Sequence, residues 1–223
     1  DWVAIVGGVL ARRFRQDSRP VVKASSWCHG VMEDLLGLHG GNQGVFLYSG
    51  LREYLIRSYG KNRSDMNRSA ARSFRVLAPE LPEYSRNWDT LETWQRATLG
   101  WVAKLWSYER AREVGFADQL MVLSFRDLLA SPAEALEGVM EFLGVTNPGD
   151  YVARISDSGL WTRYAKSADR NFDRDEEFDR LKSLETSNRA EVKRGLEFGE
   201  ELIRAGILPE NWAKPCGEVC WEL

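Results

Sequence analysis

The sequence predicts an α/β protein built on a parallel β-sheet. Three short runs are apolar without the alternation that a half-exposed sheet produces: Val21–Ala24, Gly44–Tyr48 and Gln119–Phe125. Strands of a parallel sheet are covered on both faces, so they read as continuous apolar runs. Helix-like segments separate the three runs, as crossover connections between parallel strands require. We therefore expect three neighbouring parallel strands with helices on both sides.

Two helices are predicted around the first strand. Between Trp2 and Phe14 apolar residues recur near the helical period, and arginines cluster at the end, where cations suit the helix dipole. Val31–Leu38 has a similar pattern and is followed by the helix-stopping pair Gly40–Gly41. Both segments are therefore predicted to pack on the sheet.

Longer helices are predicted after the second strand. Apolar residues from Leu91 to Tyr108 are spaced by three or four, which is typical of a buried helix face. Ser131 to Glu134 combine an N-cap, a proline in the first turn and a capping-box glutamate, and Gly144 is predicted to close that helix. Residues 174–205 are charged and compatible with helix.

Composition restricts the class of protein. With 223 residues, of which 43% are hydrophobic, the chain is predicted to form a single domain over residues 1–223. Thirty Lys and Arg against 33 Asp and Glu give a formal charge of −3, so no global positive field attracts nucleic acid, and any anion site must be local. No apolar stretch approaches the roughly 20 residues that a helix needs to span a membrane, so we expect no membrane-spanning helix.

The cysteines predict a reducing environment. Cys28, Cys216 and Cys220 make an odd number without disulfide-like spacing, which favours a cytoplasmic protein. His29 and His39 lie far along the chain from the cysteine pair, so we expect no metal site.

Arginines follow the second predicted strand closely. Arg52, Arg57 and Arg63 come after Tyr48 and a glycine turn, in a segment that is predicted to begin a helix. Either these charges face water, or they serve an anion site, since a helix N-terminus offers unpaired N–H groups and the positive end of a dipole.

Four segments, in this order, resemble the sulfotransferase superfamily, particularly its bacterial members. They are "VVKASSWCHGVMEDLL" at 21–36, "GVFLYSGLREYLIRSYGKNR" at 44–63, "LSFRDLLASPAEALEGVMEFLGV" at 123–145 and "WTRYAKSADRNFDRDEEFDRL" at 161–181. The resemblance implies a P-loop-like three-layer fold with a short parallel sheet flanked by many helices. It also implies transfer of a sulfuryl group from 3′-phosphoadenosine 5′-phosphosulfate (PAPS) to a hydroxyl or amine of a small-molecule or carbohydrate acceptor, with 3′-phosphoadenosine 5′-phosphate (PAP) as the product.

The resemblance also implies roles for the residues that follow the first two strands. Lys23 stands where the family's strand-end lysine meets the sulfuryl group and supports leaving-group charge. The family grips the 3′-phosphate with an arginine at the strand end and a serine eight residues later, whereas here Ser49 stands first and Arg57 second. Either Ser49 and Arg57 exchange places around the phosphate, or Ser58 serves with a shift of one residue and Arg52 supplies the charge.

Two further parts of the cofactor site come from later motifs. Phe125 replaces the family's usual tyrosine, and it is expected either near adenine, without the hydroxyl's hydrogen bond, or in the core. Arg163, Lys166 and Arg170 lie in the late basic loop that closes over the 3′-phosphate in the family. The resemblance therefore places Phe125, Arg163 and Lys166 at the cofactor.

The sequence departs from the family pattern at the catalytic end. The phosphosulfate loop has no match, and we expect it upstream of Asp1 or in a disordered segment. The position two residues after Lys23, often histidine in the family, is Ser25. His29, Glu33 and Asp34 follow on the next turns, and His29 is the candidate base because imidazole titrates near neutrality.

Two functional hypotheses follow from these departures. The first is a PAPS-dependent sulfotransferase. The second is a degenerate relative that binds a nucleotide or a partner without transfer. A P-loop kinase is disfavoured because the sequence has no Gly-Lys-Ser/Thr phosphate loop.

Overall fold

The computed structural model describes residues 21–23, 28–38, 42–61, 63–158, 163–164, 167–171 and 173–212. Its strands are β1 (Gly44–Tyr48), β2 (Leu120–Ser124), β3 (Arg163–Tyr164) and β4 (Ser167–Asn171). Its α-helices are α1 (Met32–Gly37), α2 (Leu51–Tyr59), α3 (Arg63–Phe74), α4 (Pro82–Arg86), α5 (Thr93–Ala111), α6 (Phe125–Ala130), α7 (Pro132–Phe142), α8 (Pro148–Asp157), α9 (Arg174–Ser187) and α10 (Arg189–Arg204). The described chain is mostly helical, with a small parallel sheet that is consistent with the α/β class.

Two of the three predicted strands form the parallel pair. β1 and β2 run in register from Gly44 opposite Leu120 to Tyr48 opposite Ser124, which confirms that these two runs are parallel neighbours. Phe46 of β1 stacks on Tyr108 of α5, with ring centroids 4.9 Å apart. Successive strand residues point to opposite faces, so Met121 lies on the other face, where it approaches Gly138 of α7. α5 and α7 therefore contact opposite faces of this pair.

The predicted first strand is wrong over the residues that the structure describes. Val21, Val22 and Lys23 have no regular secondary structure and are exposed, Val21 by 83%; Ala24 lies outside the described residues. β-branched residues favour strands because they fit a pleated, half-buried surface. The part of the chain that the structure describes does not provide that environment around Val21, so β-propensity alone does not produce a strand there.

The hydrophobic core lies among the helices rather than at the sheet. Among the residues of β1 and β2 only Leu120 is buried, whereas Leu51 and Leu55 of α2 have no exposed surface. α10 packs closely on α2 and α5 through two glycines: a Cβ on Gly195 would lie 2.7 Å from Cδ1 of Leu55, and one on Gly199 would overlap the side chain of Leu51. The close contact of these three helices therefore depends on the absence of a side chain at Gly195 and at Gly199.

Gly199→Ala is expected to destabilise the fold, whereas the same change at Gly138 is expected to stabilise it. Alanine gains about 1 kcal/mol over glycine inside a helix, but overpacking a core costs about 1–3 kcal/mol. A Cβ at Gly138 would meet Met121 at an ordinary 3.7 Å, so only the gain applies there. Urea unfolding of both variants measures the two signs; equal stabilisation would show that the α2–α10 contact readily accommodates a methyl group.

Most of the predicted helices are confirmed, with corrections at their ends. α1 and α5 match their patterns, and the run over 174–205 is two helices separated by Asn188. Gly144 closes α7 with φ of 67°, and the N–H of Val145 donates to the carbonyl of Met140 at 2.8 Å, a helix ending that favours glycine. The predicted capping box of α7 is wrong, because the side chain of Ser131 makes no cap hydrogen bond to the described backbone.

The remaining predictions concern the N-terminal segment, the bounds of the third apolar run and membrane-spanning helices. The predicted helix Trp2–Phe14 and the pair Gly40–Gly41 lie outside the described residues. Gln119 belongs to a short 3₁₀ turn and Phe125 to α6, so within the apolar run 119–125 the strand is Leu120–Ser124, as predicted. Within the described ranges, no helix combines the length and the apolar character that crossing a membrane requires.

Candidate functional site

The candidate site lies where β1 and β2 end. Tyr48 and Ser124 are the last residues of the two strands, and each strand is followed at once by a helix, α2 from Leu51 and α6 from Phe125. Parallel strands bring their carboxyl ends to the same edge of a sheet, and ligands of α/β proteins bind in the crevice outside that edge. The topology thus places the residues after β1 beside those after β2.

A cavity of ≈ 250 Å³ opens at this edge and is lined by Leu47, Tyr48, Ser49, Arg57 and Phe125. Three residues that the resemblance implies for cofactor binding, Ser49, Arg57 and Phe125, therefore line one cavity. Pockets for whole small-molecule ligands usually span about 300–1,000 Å³. The cavity suits one part of a nucleotide, such as a phosphate with its ribose, rather than the whole molecule.

The backbone at Ser49 is held by a buried tryptophan. Nε1 of Trp101, a residue of α5 that is 2% exposed, donates to the carbonyl of Ser49 at 2.9 Å. The N–H of Tyr54 donates to the carbonyl of Gly50 at 3.0 Å and closes the first turn of α2. These bonds hold the backbone of the segment between β1 and α2, to which Ser49 belongs.

Arg57 is the cation of the cavity, and two carboxylates already contact it. Its Nε donates to Oε1 of Glu53, one turn earlier on α2, and its Nη1 donates to Oε1 of Glu177 on α9, both at 2.7 Å. Its guanidinium carbon lies 5.4 Å from the ring centroid of Phe125, within cation–π range. Arg57 therefore connects the helix after β1, the aromatic ring after β2, and α9.

Glu177 contacts a second arginine. Arg180 donates to its two oxygens, from Nε at 2.8 Å and from Nη2 at 2.9 Å. The hydrogen bonds from Arg180 hold the pKa of Glu177 below its usual value; burial opposes that shift, and the positive charges of Arg180 and Arg57 add to it. We call Glu53, Arg57, Glu177 and Arg180 the α2–α9 ion-pair cluster; its two cations and two carboxylates have no net charge.

The second version of the phosphate grip, Arg52 with Ser58, is not at this cavity. Nη1 of Arg52 donates to Oε1 of Glu185 at 2.6 Å, so this arginine points toward α9. Ser58 is buried on α2. Neither belongs to the described residues that line the cavity, whereas Ser49 and Arg57 do.

The other predicted site residues lie apart from the cavity or outside the described residues. Lys23 is exposed and is not at a strand end. His29 is buried in a short 3₁₀ turn, with Nε2 3.4 Å from the carbonyl oxygen of Ser73. Arg163 begins β3, but its side chain, like all of Lys166, lies outside the described residues. The structure thus brings together Ser49, Arg57 and Phe125. The predicted catalytic residues, Lys23 and His29, are not among the described residues that line the cavity.

Sequence reasoning missed several residues that shape the site. The Glu53–Arg57 pair has the i, i+4 spacing that stabilises helices, and Glu177–Arg180 has the i, i+3 spacing, so each pair carried a local signal. The contacts of Arg57 with Glu177 and of Trp101 with Ser49 join residues 120 and 52 positions apart, and no periodic pattern indicates them.

A second cavity, of ≈ 230 Å³, lies between the end of α2 and the starts of α5 and α10. Lys61, Arg194, Glu92 and Glu191 are its charged lining residues. Charges of both signs at one small cavity do not select an anion. Arg194 is a cation at a cavity that the sequence does not associate with phosphate, so an Arg194 variant can be compared with an Arg57 variant.

Neither a metal site nor a similar known protein identifies a function for the chain. Among the described residues, no cluster of three or more His, Cys, Asp or Glu side chains is arranged to hold a metal ion. No family model, curated protein or solved structure matches the chain.

Proposed function

We propose that this chain binds the 3′-phosphoadenosine nucleotide of PAPS at the carboxyl edge of β1 and β2 and transfers its sulfuryl group to a hydroxyl or amine. The observation that carries the proposal is that Ser49, Arg57 and Phe125, from two separate motifs, line one cavity. The resemblance of four ordered segments to the sulfotransferase superfamily supplies the reaction.

Three of the lining residues, Ser49, Arg57 and Phe125, have a role in the proposed complex. The guanidinium of Arg57 and the hydroxyl of Ser49 bind the 3′-phosphate, since charge-assisted hydrogen bonds from converging donors are the strong ones. The ring of Phe125 packs against adenine, and its distance from Arg57 keeps the base and the phosphate within one site. The cavity volume of ≈ 250 Å³ is smaller than that of a pocket for a whole ligand, so in this proposal the phosphosulfate lies outside it.

The transfer itself breaks one bond and forms another. The acceptor oxygen or nitrogen attacks sulfur, the bridging sulfur–oxygen bond breaks, and PAP leaves with that electron pair. A cation must stabilise the charge on the leaving oxygen and a base must take the acceptor's proton. Lys23 and His29 are proposed for these roles on the resemblance alone, since neither is among the described residues that line the cavity.

A second candidate function is nucleotide or partner binding without transfer. The observation that favours it is the cavity lining, in which Arg57 is the cation and no described residue is a lysine. In this version Arg57, Ser49 and Phe125 keep their binding roles, and no sulfuryl group moves.

Thermal unfolding of the 223-residue chain with PAP, ADP or AMP tests the binding step. PAP at 100 times its dissociation constant adds about 2.7 kcal/mol of stability, and we expect ADP and AMP at the same concentration to add much less because they lack the 3′-phosphate. Equal stabilisation by all three would contradict 3′-phosphate recognition.

Incubation with PAPS labelled in its sulfuryl group then separates the two candidates. Transfer of label to a hydroxyl or amine acceptor supports the enzyme. PAP binding without label transfer to any acceptor, in the presence of a panel of phenols, alcohols, amines and carbohydrates, supports the binding protein.

A further inference from the structure

α9 holds a carboxylate, Glu177, against the arginine that the proposed phosphate would contact. α9 packs against α2, and two ion pairs join the helices, Arg57 with Glu177 and Arg52 with Glu185. Leu181, which lies between Glu177 and Glu185 in the sequence, is buried. α9 is therefore joined to α2 by two ion pairs, one of which brings Glu177 to the cation of the cavity.

The hydrogen-bonding edges of Arg57 are both partly occupied. A guanidinium offers two edges to an oxyanion, one that includes Nε and one formed by the two terminal nitrogens. Nε of Arg57 donates to Glu53 and Nη1 donates to Glu177, so each edge already contains one nitrogen that contacts a carboxylate. A phosphate that binds Arg57 through two parallel hydrogen bonds must displace one of these carboxylates.

Glu177 is the carboxylate that can leave Arg57 at lower cost. Glu53 is 3% exposed and lies on the same helix, four residues from Arg57. Glu177 retains two hydrogen bonds from Arg180 when it releases Arg57, so its negative charge stays paired. Exchange at Glu177 therefore leaves its charge paired with Arg180, whereas exchange at Glu53 takes a hydrogen bond from a carboxylate that is 3% exposed.

We propose that Glu177 acts as an internal competitor for Arg57, and that a phosphate-bearing ligand binds this cavity by displacing it. The inference rests on the proposed function and adds that Glu177 regulates access of the phosphate to Arg57. A competing carboxylate selects ligands of higher charge, because a phosphate dianion gains more from Arg57 than a monoanion does. The free protein thereby keeps Arg57 neutralised until such an anion arrives.

Glu177→Gln tests the competition. The amide keeps the shape of the side chain but removes its charge, so we expect PAP to bind the variant roughly tenfold more tightly, the scale of one charge-assisted hydrogen bond. Glu185→Gln is the matched control, because it removes the other α2–α9 ion pair without touching Arg57. We expect its affinity for PAP to equal that of the wild type, as measured by calorimetric titration.

Inorganic phosphate serves as a second probe, so that failure of this inference is distinguishable from failure of the proposed function. Stabilisation of Glu177→Gln by phosphate beyond that of wild type and Glu185→Gln, without PAP binding, would retain the competitor and reject the nucleotide. Equal PAP affinity in all three proteins, or weaker binding by Glu177→Gln, would overturn the competitor and retain the nucleotide. No response to either anion in any of them would overturn both.

Discussion

Leu55→Ala is expected to lower the free energy of unfolding by about 2–5 kcal/mol. Leu55 has no exposed surface and lies where α2 meets α10, with Cδ1 2.7 Å from the position of a Cβ on Gly195. Shortening this side chain removes apolar contacts and leaves a cavity that fully buried neighbours cannot easily fill. Urea unfolding measures the effect as a lower midpoint with an unchanged slope.

Leu47→Ala provides the matched comparison. Leu47 is 48% exposed in β1, so the same chemical change removes little buried surface, and we expect a loss below about 1 kcal/mol. If Leu47→Ala proved as costly as Leu55→Ala, the stability of the fold would depend on the sheet as much as on the α2–α5–α10 core, contrary to the burial pattern.

Arg57→Ala is expected to weaken PAP binding by about 1.5–3 kcal/mol, the value of a hydrogen bond to a charged group. AMP lacks the 3′-phosphate, so its affinity should change little. Arg57→Lys should restore only part of the PAP affinity, because an ammonium cannot reproduce the guanidinium fork. Calorimetric titration of both nucleotides gives the affinity ratio that isolates the 3′-phosphate contact.

The same change also affects stability, which the experiment has to separate from binding. Arg57→Ala removes the guanidinium that buried Glu53 contacts at 2.7 Å, and loss of one partner from a buried pair is strongly destabilising. Partial unfolding weakens PAP and AMP alike, so it leaves their ratio unchanged.

Arg194→Ala is the control for position, since Arg194 lines the second cavity. Loss of PAP selectivity in Arg194→Ala but not in Arg57→Ala would place the 3′-phosphate at that second cavity. An equal loss for PAP and AMP in Arg57→Ala would remove the 3′-phosphate assignment from Arg57.

Local features of this chain are readable from its sequence. The apolar runs at 44–48 and 120–124 are strands, and Gly144 ends α7 in a left-handed conformation. These features depend on backbone preferences and on periodicities within a few residues, which the sequence displays directly. The same holds for the placement of Ser49 and Phe125 after parallel strands, because parallel pairing brings both carboxyl ends to one edge.

Tertiary structure alone decides which residues from distant segments meet. Val21 has strand propensity, yet it is exposed and outside any strand, because a strand also requires a neighbour that pairs with it and covers it. Arg52 and Arg57 look equivalent in the sequence, but Arg57 lines the cavity while Arg52 contacts Glu185. That choice depends on the rotation of α2 set by its buried face, and the contact with Glu177 depends on α9, 120 residues later in the chain. Such contacts follow from how helices pack, and a pattern confined to one segment does not contain them.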